Sequence, residues 1–363
     1  MKNALVARLL ITRFGNIKRV ILVLLAVAAP NAFAQLSYSV TSLGSLGGGT
    51  SFGWGINDSG QVAGWSATSG DGAHAFLYSG GTMNGLDTLG GSDSYGYGIN
   101  NHGQIVGASE FSGSINRHAF LYSGGTMADL GTFGGTISFA NAINDSGQIV
   151  GMATTSSGDG RAFLYSGGTM SDLGTFTPHA INNSGQIAGY NGTDAVLYSG
   201  GMLTDLGSLG GLGSFAYAIN NNGQIAGASP TGTGIGGAFL YSGGRMIDLG
   251  TPSSSLPLTI AFGINNKGQV VGEAYNNATD TYHAFVYENG QMIDLNTLIP
   301  AGSGLTLTDA QAINDNGQIV ANGNYGGNNY AFLLDPVPEP ATWSLLAVSL
   351  AGLGAWHRRR QSA

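Results

Sequence analysis

The side chains able to do chemistry in this 363-residue sequence are few: 20 carboxylates, 12 basic groups, six histidines and no cysteine. Without thiols, a cysteine nucleophile, a thiolate zinc site and a disulfide framework are excluded. Cleaving a glycosidic bond needs two carboxyls about 5–10 Å apart. Asp71, Asp93, Glu110, Asp159 and Glu273 are the acids that could form such a pair. Asp129, Asp172, Asp205, Asp248 and Asp294 instead recur in one repeated Asp-Leu phrase and read as structural. His74, His118 and His283 precede Ala-Phe, but Arg161, Asp194, Gly237 and Tyr330 hold the same place elsewhere. A position so tolerant is neither a metal nor a catalytic site. No phosphate-binding loop or His-Glu-x-x-His is present. The Asn-Asp-Ser-Gly and Asn-Asn-Lys-Gly segments offer oxygen ligands without the acid density of a calcium loop. No cofactor is therefore expected, and calcium is left open by the acidic balance alone, without a motif for it. The chain reads as a non-enzyme.

Binding is better represented than catalysis. Trp65, Tyr190, Tyr275 and Tyr325 each follow the expected second strand of a repeat, with Asn276, Asn277, Asp280, Asn324, Asn328 and Asn329 nearby. Aromatic faces stack on sugar rings, and amides and carboxylates pair with hydroxyls. Trp65, Tyr190, Tyr275, Asn276 and Tyr325 are the candidate ligand-binding residues.

The elements that must position these groups come from a sevenfold repeat. An apolar residue, Asn, two variable residues, Gly-Gln and an apolar pair begin at Ile56, Ile99, Ile143, Ile181, Ile219, Ile264 and Ile313. A period near 40 residues is that of a propeller blade or a helical array. In the fifth copy Ser214–Ile219 alternates large and small residues, the period of a strand. Asn220-Asn221-Asn222-Gly223 suits a type I turn closed by a left-handed glycine. Gln224–Gly227, Ala238–Tyr241 and Arg245–Leu249 complete four strands, the last two joined at Gly243-Gly244. The sixth copy has Asn289-Gly290 at that turn, the pair favoured where both central residues need positive φ. The expected fold is all-β: a seven-bladed propeller of four-stranded antiparallel blades.

The seventh copy stops after its third strand, Tyr330–Leu334, while residues 38–48 resemble the fourth strand and exit of a repeat. The N-terminal strand is therefore expected to complete the last blade and close the ring. In the first strands, Trp54, Tyr97, Asn141, Tyr217 and Phe262 are flanked by Gly or Ala in most copies, which predicts large-on-small packing between blades. The 1–2 and 3–4 turns are short and uniform; the 2–3 and blade-to-blade connections vary. In an antiparallel blade the variable connections share one end, so one face carries the diversity.

Residues 35–340 hold 4 basic side chains against all 20 acidic ones, a net of −16, which repels phosphate backbones and excludes nucleic acid. Lys2, Arg8, Arg13, Lys18 and Arg19, an apolar run from Val20 to Ala29 and Ala32-Phe33-Ala34 make residues 1–34 a secretory signal peptide cut between Ala34 and Gln35. The propeller is expected over 35–335. Residues 336–340 include Pro338-Glu339-Pro340, residues 341–357 form an apolar span, and 358–363 a tail opening on Arg358-Arg359-Arg360 that stays cytoplasmic.

This motif, span and basic cluster resemble the PEP-CTERM sorting signal of Gram-negative bacteria. The resemblance implies an exosortase as partner, an intermediate anchored in the inner membrane by the C-terminal segment, and release to the cell surface or extracellular matrix. The repeat phrase, with His-Ala-Phe complete at His74, His118 and His283, resembles the HAF-repeat family of exported bacterial proteins. That family brings location and architecture but no catalytic residues. The expected function is a surface or biofilm-matrix scaffold binding exopolysaccharide or another envelope component through the variable loops. A glycan-active enzyme and a protein-interaction scaffold are the alternatives.

Overall fold

The computed structural model describes residues 36–70, 72–232, 236–276 and 279–337. The expected signal peptide, Gln35, Asp71, Asn277, Pro338, Glu339, Pro340, the span 341–357 and Arg358, Arg359 and Arg360 lie outside them. Among the described residues no helix is long and apolar enough to cross a membrane.

The described residues form seven four-stranded antiparallel sheets. Blade 1 runs Gly47–Ile56, Val62–Thr68, Ala73–Ser79 and Thr82–Gly85. Blades 2 to 6 occupy 90–129, 134–174, 177–205, 215–248 and 258–294. Blade 7 consists of Leu305–Ile313, Ile319–Tyr325 and Asn328–Pro336, completed by Tyr38–Ser42 as its outer strand. Tyr38 pairs with Pro336 and Ser42 with Phe332, so the N-terminal strand closes the ring as the sequence predicts. The first strands contact one another in succession, the seventh touching the first, and so surround the axis.

The two uniform turns carry the predicted conformations. Gly223 has φ +75° at the 1–2 turn, and Asn289 and Gly290 have φ +53° and +79° at the 3–4 turn of blade 6. Strand limits differ slightly from expectation: the second strand of blade 5 is Ile225–Pro230 and the fourth stops at Asp248.

The core sits in the joints between blades. Ala188, Ala195 and Leu206 of blade 4 pack with Ala216, Ile219, Ile225 and Phe239 of blade 5, and other joints repeat this pattern. The phenylalanine of Ala-Phe is fully buried at Phe76, Phe120, Phe163, Phe239 and Phe285, each contributing about 2–3 kcal/mol by burial. The neighbouring alanine N–H donates to a buried hydroxyl of the next blade, as from Ala75 to Ser94 Oγ at 2.9 Å and from Ala331 to Ser51 Oγ at 3.1 Å. The repeated aspartates are structural, as expected: Asp129, Asp172, Asp205 and Asp248 each accept the N–H two residues on, closing the exit turn.

The first strand of every blade carries a β-bulge, and the unpaired residues are Trp54, Tyr97, Asn141, His179, Tyr217, Phe262 and Gln311. These large side chains are therefore not interleaved with small ones as expected. They are half-buried and meet the equivalent residue of the next blade, as in Trp54–Tyr97 at 4.8 Å between ring centroids and Tyr217–Phe262 at 5.7 Å. A bulge adds one residue to one strand and turns its side chain out of register with the pleat.

Candidate functional site

The ends of the propeller differ in chemistry. At the uniform end the seven repeated asparagines, 3–4% exposed, stand around the axis. Each Nδ2 donates to the carbonyl of the equivalent asparagine in the next blade, from Asn57 to Asn100 at 3.0 Å through to Asn265 to Asn314 at 2.9 Å. Asn314 donates back to Asn57 at 2.9 Å, and the ring closes. The remaining capacity is used inside the repeat: Asn144 Nδ2 also donates to Gln148 Oε1, while its Oδ1 accepts the Ser146 and Gln148 N–H groups. That need for two donors and two acceptors fixes both the Asn and the Gln of the phrase.

A second ring lies outside the first. The N–H of each following residue donates to the side-chain oxygen of its counterpart one blade on, from Asp58 to Asn101 round to Asp315 back to Asp58. Burial opposes ionisation of Asp145, but the Asn101 N–H and the Asn183 and Asn101 amides outweigh it and hold its carboxyl below the usual range. A cavity of about 220 Å³ opens between the rings, and its polar walls are bonded to one another. This end is a clasp.

The variable end holds aromatic stacks and unpaired charge. Trp65 lies between Phe52 and Tyr95, with centroids at 5.2 and 5.7 Å. Tyr190 stacks on Phe215 at 4.3 Å, and Phe215 on Tyr217 at 6.1 Å. Phe215 and Tyr217 of blade 5 face Leu258, Ile260, Glu273, Tyr275 and Tyr282 of blade 6 across a cavity of about 370 Å³.

Among the described residues Glu273 is the one acid lining that cavity. It follows the glycine of the second strand, the position of Trp65 and Tyr190 in blades 1 and 4. Burial, with the nearby Asp309 charge, pushes its carboxyl up to about 7. Burial and then Glu273 raise the Tyr217 hydroxyl. Asp309 lies on the first strand of blade 7 and accepts from Thr308 Oγ1, Gln311 Nε2 and Asn322 Nδ2 at 2.7–2.9 Å. The sequence marks Glu273 as an acid where every other copy carries an uncharged residue. Asp309 it did not mark, because the partnership crosses from blade 6 to blade 7.

The other expected residues fall as follows. Trp65, Tyr190, Tyr275, Asn276 and Tyr325 lie within second strands, not after them. Side chains alternate along a strand, so Tyr275 shares the face of Glu273, while Asn276 points to the other side. Tyr325, three residues beyond the equivalent Asn322, also takes the other face and is 52% exposed. Phe215 joins Tyr190 to the cavity that Tyr275 lines; Trp65 belongs to the blade 1–2 joint. Tyr275 donates to Asp280 at 2.6 Å, a bond that raises its hydroxyl.

Asp93 and Glu110 do approach each other, but Arg117 stands 3.7 and 3.4 Å from them and over the Tyr95 ring. They are an ion cluster, and neither is a free acid. Asp159 accepts from Ser157 on an exposed turn. His118 and His283 pair with Asp129 and Asp294. Gly49-Thr50-Ser51-Phe52-Gly53 has the spacing of a serine nucleophile elbow, yet Ser51 is fully buried and its Oγ donates to the Gly44 carbonyl. Among the described residues no group of three His, Asp or Glu side chains is placed to hold a metal.

Both ends of the described chain leave from the uniform end: Val337 N–H donates to the Ser37 carbonyl, and Pro336 packs 3.7 Å from the Cβ position of the turn glycine Gly317.

Residues 336–360 match the PEP-CTERM protein-sorting motif. The protein is therefore an exported propeller whose tail is an exosortase sorting signal, with a membrane-anchored intermediate. No curated protein matches the sequence significantly. Among solved structures, YCF48 bound to D1 peptide is 12% identical with a TM-score of 0.52, covering 84% of this chain and 96% of that one. The β-propeller domain of the Trilobed protease from Pyrococcus furiosus is 8% identical, TM-score 0.49, covering 80% and 99%. An oligogalacturonate lyase from Vibrio parahaemolyticus is 9% identical, TM-score 0.49, covering 84% and 92%. At such identities the first supports the propeller fold alone.

Proposed function

We propose that this exported propeller is a non-enzymatic binding protein of the cell surface or matrix that holds exopolysaccharide, or another envelope component, at its variable end. The observation that carries this reading is the aromatic cavity between blades 5 and 6. Tyr275 and the Tyr190–Phe215–Tyr217 stack bound it, and it opens at the end opposite the exit of the tail. A protein tethered through Val337 would present that end away from the membrane. Sugar rings offer flat apolar faces of the size these side chains stack on.

The test is saturable retention of the protein on exopolysaccharide from the producing organism. Phe215→Ala with Tyr275→Ala is expected to weaken it at least tenfold, and a chelator arm reads any calcium requirement. Retention unchanged in the double variant defeats the reading.

Glycan cleavage is the second reading, favoured by the Glu273 carboxyl held near 7 beside the hydrogen-bonded Asp309. A protonated acid and an ionised partner are what general acid–base cleavage uses. Release of reducing ends by the wild type and not by Glu273→Gln would put catalysis in place of simple binding.

A further inference from the structure

Glu273 is half-buried among Tyr217, Tyr275, Tyr282, Phe215 and Ile260, yet takes part in no hydrogen bond or ion pair among the described residues. A carboxyl in such surroundings is partly stripped of water and paired with no protein group, which leaves it free to pair with a ligand. The bulge at Tyr217 and an acid at the position held by Trp65 and Tyr190 in blades 1 and 4 put it there together. Among the described residues no basic side chain lines the cavity. Asp309, which accepts from three donors, stands close enough to raise the Glu273 carboxyl, so two carboxyls face the same region and the electrostatic demand is for a cation. A metal ion is a poor match, because hard cations need several oxygen ligands and these walls are rings and aliphatic carbon. An organic cation suits both surfaces: its charge pairs with the carboxylate, and its methyl or methylene groups lie on aromatic faces. A volume of about 370 Å³ admits a molecule of one to two rings.

We infer that the cavity between blades 5 and 6 is a binding site for an organic ammonium group, with Glu273 as its counter-ion and Phe215, Tyr217, Tyr275 and Tyr282 as its aromatic walls. The site goes beyond the exopolysaccharide reading and does not depend on it. An ammonium-bearing sugar and a non-sugar ammonium satisfy it equally. Binding fixes Glu273 in its ionised form, so below the carboxyl's own titration each ligand must displace a proton. Affinity is then lower at acid pH and levels off above about 7. The groups facing Glu273 are Tyr217 and, lining the same cavity, Tyr275 and Tyr282, with Asp309 across the joint. Tyr217 and Tyr275 are both raised above their ordinary range, so neither changes charge in this window.

The test is calorimetry on the full chain in a non-ionic detergent. The cationic probes are benzyltrimethylammonium and the β-linked glucosamine disaccharide; their neutral counterparts are benzyl alcohol and the N-acetylated disaccharide. At pH 8 at least one cationic probe is expected to bind and its neutral counterpart at least tenfold more weakly. Between pH 8 and pH 5 the affinity for benzyltrimethylammonium, whose charge does not titrate, should fall about 100-fold, from the ionised fraction of a carboxyl titrating near 7. Glu273→Gln, which keeps the shape, should remove both the cation preference and the pH dependence, while Asp159→Asn, a remote acid, leaves them intact. Equal binding of charged and neutral probes, a flat pH profile, or an unaltered Glu273→Gln variant overturns the site, and so does failure of both cations to bind. If benzyltrimethylammonium binds in this manner and no saccharide does, the ammonium site stands and the exopolysaccharide reading loses its support.

Discussion

Replacing Asn144 by alanine removes one of seven equivalent links in the axial ring. Its side chain makes four hydrogen bonds: to Gln148 Oε1 at 2.8 Å, to the Asn182 carbonyl at 3.0 Å, and from the Ser146 and Gln148 N–H groups at 3.1 and 2.9 Å. With the residue 3% exposed, water cannot replace all four partners. At about 0.5–1.5 kcal/mol per bond, the loss is roughly 3–4 kcal/mol once partial relaxation is allowed. The control is Asn183→Ala in the outer ring. Asn183 accepts from the Asp145 N–H at 3.0 Å and donates to the Asp145 carboxylate at 2.8 Å, both in exposed surroundings. Its cost should stay below about 1 kcal/mol. Gln148→Ala should fall between, since it strands one Asn144 proton. Urea denaturation followed by far-ultraviolet circular dichroism reads all three, and the Asn144 variant should melt roughly 6–12 °C lower. An Asn144→Ala variant within about 1 kcal/mol of Asn183→Ala would refute the ring as a source of stability.

Two further outcomes follow from packing. Gly107→Ala should cost about 2–3 kcal/mol or prevent folding, because its added methyl would fall on the Tyr95 carbonyl oxygen; Gly124→Ala, with open space at φ +59°, should cost about 1 kcal/mol. Equal melting points for the two would defeat the steric account. Tyr38→Phe should be neutral or stabilising by up to about 1 kcal/mol, since the Tyr38 hydroxyl is buried without a partner in blade 7; a clear loss of stability would show that this hydroxyl is satisfied in solution.

What the chain encodes locally could be read directly. Turn chemistry is a matter of neighbouring residues, so Asn289-Gly290 announced two positive φ values where other copies use Gly-Gly. The split repeat told how the ring closes, because residues 38–42 look like a fourth strand wherever they occur. Strand limits erred by up to three residues where the hydrogen-bond ladder, and not side-chain alternation, ends the strand.

The site was only partly visible. Tyr275 and Glu273 were both singled out, but for different functions, and nothing local said that they line one cavity. Asn276 and Tyr325 were grouped with Tyr275 by position at the end of the second strand, although period two places them on the opposite side. Seven repeated asparagines could be counted, yet their ring joins residues 38 to 49 apart and, at its closure, Asn314 to Asn57 across 257 residues. The seven copies, their turns, the split last copy and the sorting tail were legible in the chain because each is a local pattern or a motif read without folding; the closing contact itself joins Tyr38 to Pro336. Tertiary structure alone decided the bulges, the ring and the carboxyl left unpaired between blades 5 and 6. Those depend on which surface each blade meets, and that is settled only when the ring closes.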